Sequence, residues 1–318
     1  SHHFTTNKIT NFFIKVSHAI TKKMFCADVS TIISIMRARD AGKIIVIYPE
    51  GRLTCSGHSV QVTDGTAELV KKLGIDVYWI TQDGAYKSCP KWGGLKFRKG
   101  KVLVHGGKLF DKDEIKDLTL DEIRAGLEKA ISHDEDKLFT DVAYRSKAPA
   151  KGLDGILYKC PVCGSEFRTM SEGDRLWCSD CGAEWRLDEK YVLTGPVFDH
   201  INAWYDWQEE QIDTSVPMES EVTVMSPGPD GFLVKDAGHG TFRVNRDSID
   251  FNGTVFGEPL EFSEKTSVVS AFPASVGDHV SIYSKRVLYY MCPEPDRRET
   301  VKWVQYLDRV TKERTGKV

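Results

Sequence analysis

The chain has 318 residues, a formal net charge of −3 and a hydrophobic fraction of 41%. This length exceeds what one hydrophobic core usually holds, so it predicts two or three domains. The slightly acidic balance does not favour a nucleic-acid partner, and no apolar run is long enough for a membrane-spanning helix.

Helical patterns come first in the segment 9–150, where they alternate with strand-like runs. VSTIISIMRARDA predicts a helix that Asp28 caps and Gly42 ends. Apolar residues spaced along 64–73 predict a second helix, which stops at Gly74. Alternation of helix and strand is typical of the α/β class.

Strand-like runs in the same segment are IIVIY (44–48) and IDVYWI (75–80). The first is continuously apolar, which predicts a central strand covered on both faces. KFRKGKVLVHG (96–106) predicts a hairpin or two short strands. Thr-Leu-Asp-Glu at 119–122 is a capping box and predicts the start of a further helix.

The second half of the chain changes character twice. RSKAPAKGLDG, within 145–157, has the composition of a linker. From about residue 217, short strand-like runs recur between Gly, Asp, Asn and Pro, and a helical stripe follows them. This pattern resembles a pleckstrin-homology-like (PH-like) β-barrel with a C-terminal helix. The predicted domains are therefore 1–150, 151–195 and 196–318.

Four clustered cysteines form two Cys-x2-Cys-Gly knuckles, Cys160/Cys163 and Cys178/Cys181. Four thiolates at this spacing suit one tetrahedral zinc ion in a closed structural site, a zinc ribbon, and four unrelated free thiols are the alternative. The acidic residues beside the knuckles make a poor surface for nucleic-acid phosphate. They are Glu166, Glu172, Asp174, Asp180 and Glu184.

The run 44–48 leads directly into Pro49-Glu50-Gly51-Arg52. Glycine lets backbone amides approach an anion, and the arginine fork matches phosphate oxygens. Glu50 is out of place at a phosphate site unless it orders the loop by accepting N–H groups. The alternative is an ordinary exit from a strand with a surface ion pair.

GKIIVIYPEGRLTCSG resembles the phosphate-binding block of the glycerolipid (1-acyl-sn-glycerol-3-phosphate) acyltransferases, G-x-x-hydrophobic-F-P-E-G-T-R-S. Pro-Glu-Gly is unchanged, whereas Arg52, Leu53 and Thr54 replace the usual Thr, Arg and Ser. An upstream segment is similar to the family's second block, with Lys23 as its basic residue. The fourth block lacks its usual proline. The resemblance covers about residues 9–110.

The resemblance implies an α/β acyltransferase-like domain with a central mixed sheet. It implies transfer of a fatty acyl group from acyl-CoA or acyl carrier protein to lysophosphatidate or a similar lysophospholipid, in phospholipid synthesis. Arg52, Gly51 and Lys23 would hold the acceptor phosphate, and Glu50 would order the loop. The order acyltransferase, zinc ribbon and β domain is similar to that of some bacterial acyltransferases.

The family's catalytic His-x4-Asp motif is not found, because none of the nine histidines has aspartate five positions later. His2 and His3 are followed at that spacing by Asn7 and Lys8. We expect the motif in a segment that lies before or within residues 1–4, with either histidine at most a remnant of it or part of a tag. Loss of catalysis is the alternative. We therefore keep two alternatives: a catalytically inactive lipid-phosphate binding module, and a zinc-ribbon adaptor with a protein partner.

The expected location is the cytoplasm, at the inner face of the membrane. The start SHHFTTNK lacks the apolar core of a signal peptide, and the other four cysteines are scattered as in reduced proteins. TNKITNFFIKVSHAITKKMF (6–25) interleaves aromatics with lysines, which is typical of a helix that docks on lipid. Packing of the same aromatics into the protein core explains the pattern equally well.

Overall fold

The computed structural model describes Val16 and residues 19–20, 29–63, 65–269 and 272–316. Internal contacts divide the chain into two compact units. We call Ile47–Gln211 the cysteine unit, and Ser1–Val46 with Ile212–Val318 the sheet unit. No helix in the described ranges is both long and apolar enough to cross a bilayer.

Helices and strands are numbered in chain order. The helices are α1 (Val29–Asp40), α2 (Thr66–Leu73), α3 (Ala85–Ser88), α4 (Glu114–Asp117), α5 (Leu120–Ile131), α6 (Ile201–Glu210) and α7 (Glu299–Thr315). The strands are β1 (Val77–Asp83), β2 (Leu103–Phe110), β3 (Thr169–Glu172), β4 (Arg175–Cys178), β5 (Glu184–Leu187), β6 (Leu193–Thr194), β7 (Met218–Pro227), β8 (Leu233–Val244), β9 (Ser248–Val255), β10 (Glu258–Lys265), β11 (Ala274–Ser275), β12 (His279–Ser284) and β13 (Val287–Glu294).

Local signals place two helices of the cysteine unit, α2 and α5, where the sequence predicts them. Gly74 ends α2 with φ 56, a left-handed conformation that glycine adopts without steric cost. Thr119 and Glu122 make both halves of the capping box at the start of α5. The two helices bury their apolar stripes together with β2. This core consists of Val62, Ala67, Val70, Phe110, Ile115, Ile123 and Leu127.

The predicted central mixed sheet is not formed by the described residues. The cysteine unit holds β1 and β2, which pair antiparallel with each other, and a separate four-stranded sheet, β3-β4-β5-β6. The run 44–48 is not a strand: Ile44 is 93% exposed and Tyr48 is 83% exposed. A buried strand needs neighbouring strands for its backbone groups, and within the described ranges none pairs with this run.

Two further segments differ from their predictions. In 96–106 there is no hairpin, because strand β2 begins only at Leu103 and Gly100 before it lies against the Tyr144 ring. A Cβ at Gly100 would come within 2.2 Å of that ring. The segment 145–157 has a linker composition but is packed, since Leu153 and Ile156 are fully buried.

The sheet unit is built on one antiparallel sheet in the order β10-β9-β8-β7-β13-β12-β11. The β-rich character and the C-terminal helix α7 are confirmed. Barrel closure is not, since no hydrogen-bonded pair joins β10 to β11 in the part of the chain described. Helix α1 is also confirmed: Ile35 is buried, and Gly42 follows with φ 65. Its predicted cap, Asp28, lies outside the described residues.

Candidate functional site

The four clustered cysteines converge as the knuckle spacing predicts. Their sulfur atoms all lie within 4.8 Å of one another. Sγ of Cys160 is 3.8 Å from Sγ of Cys181, and Sγ of Cys163 is 3.7 Å from Sγ of Cys178. Four sulfurs about 2.3 Å from a tetrahedral zinc ion would be separated by about 3.8 Å. The thiol set therefore fits a metal ion such as zinc.

The two knuckles have the same backbone geometry. Gly164 N–H donates to the Cys160 carbonyl at 2.9 Å, and Gly182 N–H donates to the Cys178 carbonyl at 3.0 Å. Both glycines have positive φ, 78 and 73, as the tight turn requires. The backbone geometry of the turn thus directs both thiols of each knuckle towards one point.

Arginines pair with three of the acidic side chains beside the cysteine cluster. Arg175 Nη2 lies 2.7 Å from Glu184 Oε2, and Arg186 Nη1 lies 2.9 Å from Asp174 Oδ2. A third, weaker pair joins Arg168 to Asp180. The acidic surface that the sequence predicts is therefore largely neutralised by its neighbours.

The cysteine ribbon packs tightly within its own unit. The ring centroids of Trp185 and Trp204 are 4.5 Å apart, and Trp204 Nε1–H donates to the Lys159 carbonyl at 2.8 Å. Tyr191 Oη donates to the Lys87 carbonyl at 2.6 Å, which ties the ribbon's end to α3. The ribbon is thus part of the packed core of this unit.

Two backbone N–H groups from the following segment hold the predicted phosphate loop, residues 49–52, in place. Val60 N–H donates to Glu50 Oε1 at 2.7 Å, and Thr63 N–H donates to the Pro49 carbonyl at 2.8 Å. Gly51 has φ 69. Burial raises the pKa of Glu50, and the nearby Arg52 charge opposes that rise. Glu50 accepts a backbone N–H, as the loop-ordering role requires.

A chain of histidines and carboxylates lies next to this loop. His105 Nε2 lies 2.9 Å from Asp83 Oδ2, and Asp83 Oδ1 lies 3.5 Å from His133 Nδ1. His133 Nε2 lies 2.9 Å from Glu135 Oε1. Glu135 is 1% exposed, and the same oxygen accepts Gly84 N–H at 2.8 Å. Both ring nitrogens of His133 face carboxylates. Only the cationic ring carries an N–H on each nitrogen, so it can donate to both carboxylates.

A second histidine, His58, has a similar setting. Its Nδ1 lies 3.0 Å from Asp206 Oδ2 and its Nε2 lies 3.2 Å from Asp134 Oδ1. Asn202 Nδ2 also donates to Asp134, at 3.2 Å. Burial opposes the charge of His58, but hydrogen bonding and the charge of Asp206 outweigh it and raise the pKa.

Sequence reasoning missed these histidine clusters, because their members are far apart in the chain. The signal available was the run His133-Asp134-Glu135-Asp136, which concentrates titratable groups after α5. Glu50, Gly51 and Arg52 lie together as one loop. Lys23, His2 and His3 lie outside the described residues, so their predicted roles stay predictions.

His133 makes one pH dependence testable. Its hydrogen bond to Glu135 raises its pKa above the ordinary value of about 6.5. Stabilisation from this group is therefore complete below about pH 6.5 and is lost as pH rises through the folded-state pKa. We expect the destabilisation caused by His133→Gln, measured by denaturant unfolding, to shrink as pH rises.

His239→Gln is the matched control, because His239 is exposed on β8 in the other unit. A His133→Gln effect that stays constant with pH, or that grows towards alkaline pH, contradicts the ion pair with Glu135. An NMR titration of the His133 ring measures the direction of its pKa shift directly.

Comparison with protein-family models, curated proteins and solved structures gives no match for this chain.

Proposed function

We propose that the chain takes part in acyl transfer to a lysophospholipid, with residues 49–52 as the site of the acceptor phosphate. In this reaction the acceptor hydroxyl attacks a thioester carbonyl, the carbon–sulfur bond breaks, and a thiol leaves. The donor is acyl-CoA or acyl carrier protein, and the acceptor is lysophosphatidate or a similar lipid. The location is the inner face of the membrane, as a peripheral protein.

The observation that carries the proposal is the construction of the loop. Glu50 Oε1 accepts Val60 N–H, so this carboxylate helps to fix the shape of the loop. Gly51 is exposed, and its lack of a side chain leaves the backbone open to an anion. Arg52 supplies a charge there, with Lys23 as the proposed second cation. Since no His-x4-Asp pair occurs, these residues are given acceptor binding and no base role.

The cysteine cluster is proposed to hold one zinc ion in a structural role. All four protein ligands are thiols, which closes the coordination sphere and leaves no position for substrate. The sheet unit is proposed to be PH-like. Its support is the strand order, in which four sequential strands adjoin three more and a C-terminal helix follows.

Arg52→Ala tests the phosphate site. A charge-assisted contact is worth on the order of 2 kcal/mol, so we expect about 30-fold poorer use of lysophosphatidate with donor KM unchanged. Arg52→Lys should recover part of the loss, because it keeps the charge without the fork. Arg314→Ala removes an exposed arginine in the sheet unit and serves as the control. Equal losses for donor and acceptor contradict the assignment.

The absence of His-x4-Asp favours a second candidate, an inactive module that binds lipid phosphate. It predicts that wild-type protein binds lysophosphatidate without turnover and that Arg52→Ala weakens the binding. A zinc-ribbon adaptor predicts neither turnover nor binding, and instead a protein partner for the ribbon or the sheet unit.

A further inference from the structure

Positive charge is concentrated in one stretch of this weakly acidic chain. From Gly84 to Phe110 there are seven lysines and arginines and no aspartate or glutamate. At its centre is the segment Gly94–Val102, GLKFRKGKV, which we call the lysine loop. Its three lysines, Lys96, Lys99 and Lys101, are exposed, and none forms an ion pair with a described residue. Lys101 Nζ lies 4.9 Å from the ring centroid of Phe139, and this contact leaves its charge unneutralised.

Apolar side chains stand between these lysines and face solvent. Phe97 is 89% exposed and Leu95 is 52% exposed. Val102 at the loop's end and Val104 in β2 are exposed as well. Leu95 also has φ 56, a conformation that a leucine adopts at a cost and only where its surroundings enforce it. Exposing these apolar side chains to water is energetically unfavourable, and such exposed patches commonly mark an interaction site.

Arg98 anchors the lysine loop to the core of its unit. Its guanidinium carbon is 4.7 Å from the ring centroid of Trp92 and 5.2 Å from that of Tyr191. Nη2 donates to the Pro149 carbonyl at 3.0 Å, and Arg98 N–H donates to the Ser88 carbonyl at 2.7 Å. Arg98 points into the core, whereas Phe97 and Lys99 on either side are exposed.

We propose that the lysine loop docks on an anionic lipid bilayer, with Leu95 and Phe97 entering the interface and the three lysines meeting phosphate headgroups. Aromatic and aliphatic side chains flanked by lysines match an interface that is apolar on one side and negative on the other. This deepens the proposed function and rests on it only for the claim that the acceptor is a lipid.

Other partners fit this surface less well. Leucine and valine do not stack on bases, so their exposure serves no purpose for a single-stranded nucleic acid. A second copy of the chain would bring six lysines together without a carboxylate from this stretch, which is repulsive. A bilayer supplies both the negative charge and the apolar interior.

The test is co-sedimentation with phosphatidylcholine vesicles with or without phosphatidylglycerol. Binding should require phosphatidylglycerol and weaken steeply with salt. Changing Lys96, Lys99 and Lys101 together to Glu should lower binding by about tenfold or more. The same change at Lys112, Lys129 and Lys151, exposed in the same unit, should lower it far less. Phe97→Ser should weaken binding at every salt concentration, and exposed Phe232→Ser should not.

If both triple variants lose the same amount of vesicle binding, net charge alone attracts the protein to the vesicles. That result would overturn the proposal. So would loss with Lys22 and Lys23 changed to Glu but not with the loop variants, since the segment 6–25 would then be the docking surface. A wild-type dimer that Phe97→Ser dissociates would assign the face to self-association. Turnover of a water-soluble, short-chain lysophosphatidate without vesicles tests the proposed function separately, because it needs no docking.

Discussion

Cys178→Ser is expected to abolish binding of the proposed zinc ion and to disrupt the packed structure of residues 156–190. Four thiolates from two knuckles supply every expected ligand, so one serine leaves an incomplete site. Zinc-finger peptides bind zinc with apparent free energies of about 10–16 kcal/mol at neutral pH. This range is an upper bound for the folding free energy that the variant loses. Metal analysis should find about one zinc per wild-type chain and little in the variant.

Hydrogen exchange should show where the loss spreads. The ribbon is joined to its unit through Trp185 against Trp204 and through the Tyr191 hydroxyl on the Lys87 carbonyl. Amides of α3 and α6 should therefore lose part of their protection, whereas α5, with its own core, keeps it. Cys89→Ser is the control, since Cys89 lies outside the cluster.

Two results would refute the zinc site. One is wild-type protein without bound metal and with the ribbon protected from exchange. The other is a variant lacking Cys160 and Cys178 that still holds zinc. A fall in zinc content with unchanged protection everywhere would show that the metal is bound but does not stabilise the ribbon.

Predictions from sequence succeeded where the interaction spans a few residues. A knuckle needs two thiols and a glycine within five positions, and the capping box needs Thr119 and Glu122 only. Such rules depend on backbone geometry that the local sequence specifies completely. The same holds for the stops of α1 and α2 at Gly42 and Gly74.

Predictions failed where the outcome depends on distant partners. The run 44–48 has the composition of a central strand, but a strand is defined by its neighbours. The segment 145–157 has a linker's composition and is buried because Arg98 and Ser171 bind its backbone. Glu135 lies 84 residues beyond Gly51 in the chain. It contacts His133, whose charge acts on Glu50 in the loop, and no local sequence pattern encodes this contact.

Trp303→Ala is expected to be the most damaging single change in the sheet unit. Trp303 in α7 is fully buried, and its ring centroid lies 5.0 Å from that of Phe242 in β8. Truncating a buried tryptophan to alanine typically costs about 3–5 kcal/mol, from lost contacts and the cavity left behind. Hydrogen exchange at β8 and α7 should accelerate accordingly, while the cysteine unit keeps its protection.

Trp303→Phe separates shape from hydrogen bonding at the same position. The indole Nε1 is buried without a hydrogen-bond partner among the described residues, so phenylalanine removes an unsatisfied donor as well as part of a ring. An unsatisfied buried N–H carries a desolvation penalty of about 1–3 kcal/mol, and its removal offsets part of the packing loss. Trp303→Phe should therefore be much milder than Trp303→Ala, with exposed Lys312→Ala as a surface control on the same helix. If phenylalanine is as damaging as alanine, the indole N–H has an acceptor, and the packing of α7 on the sheet differs from the one described.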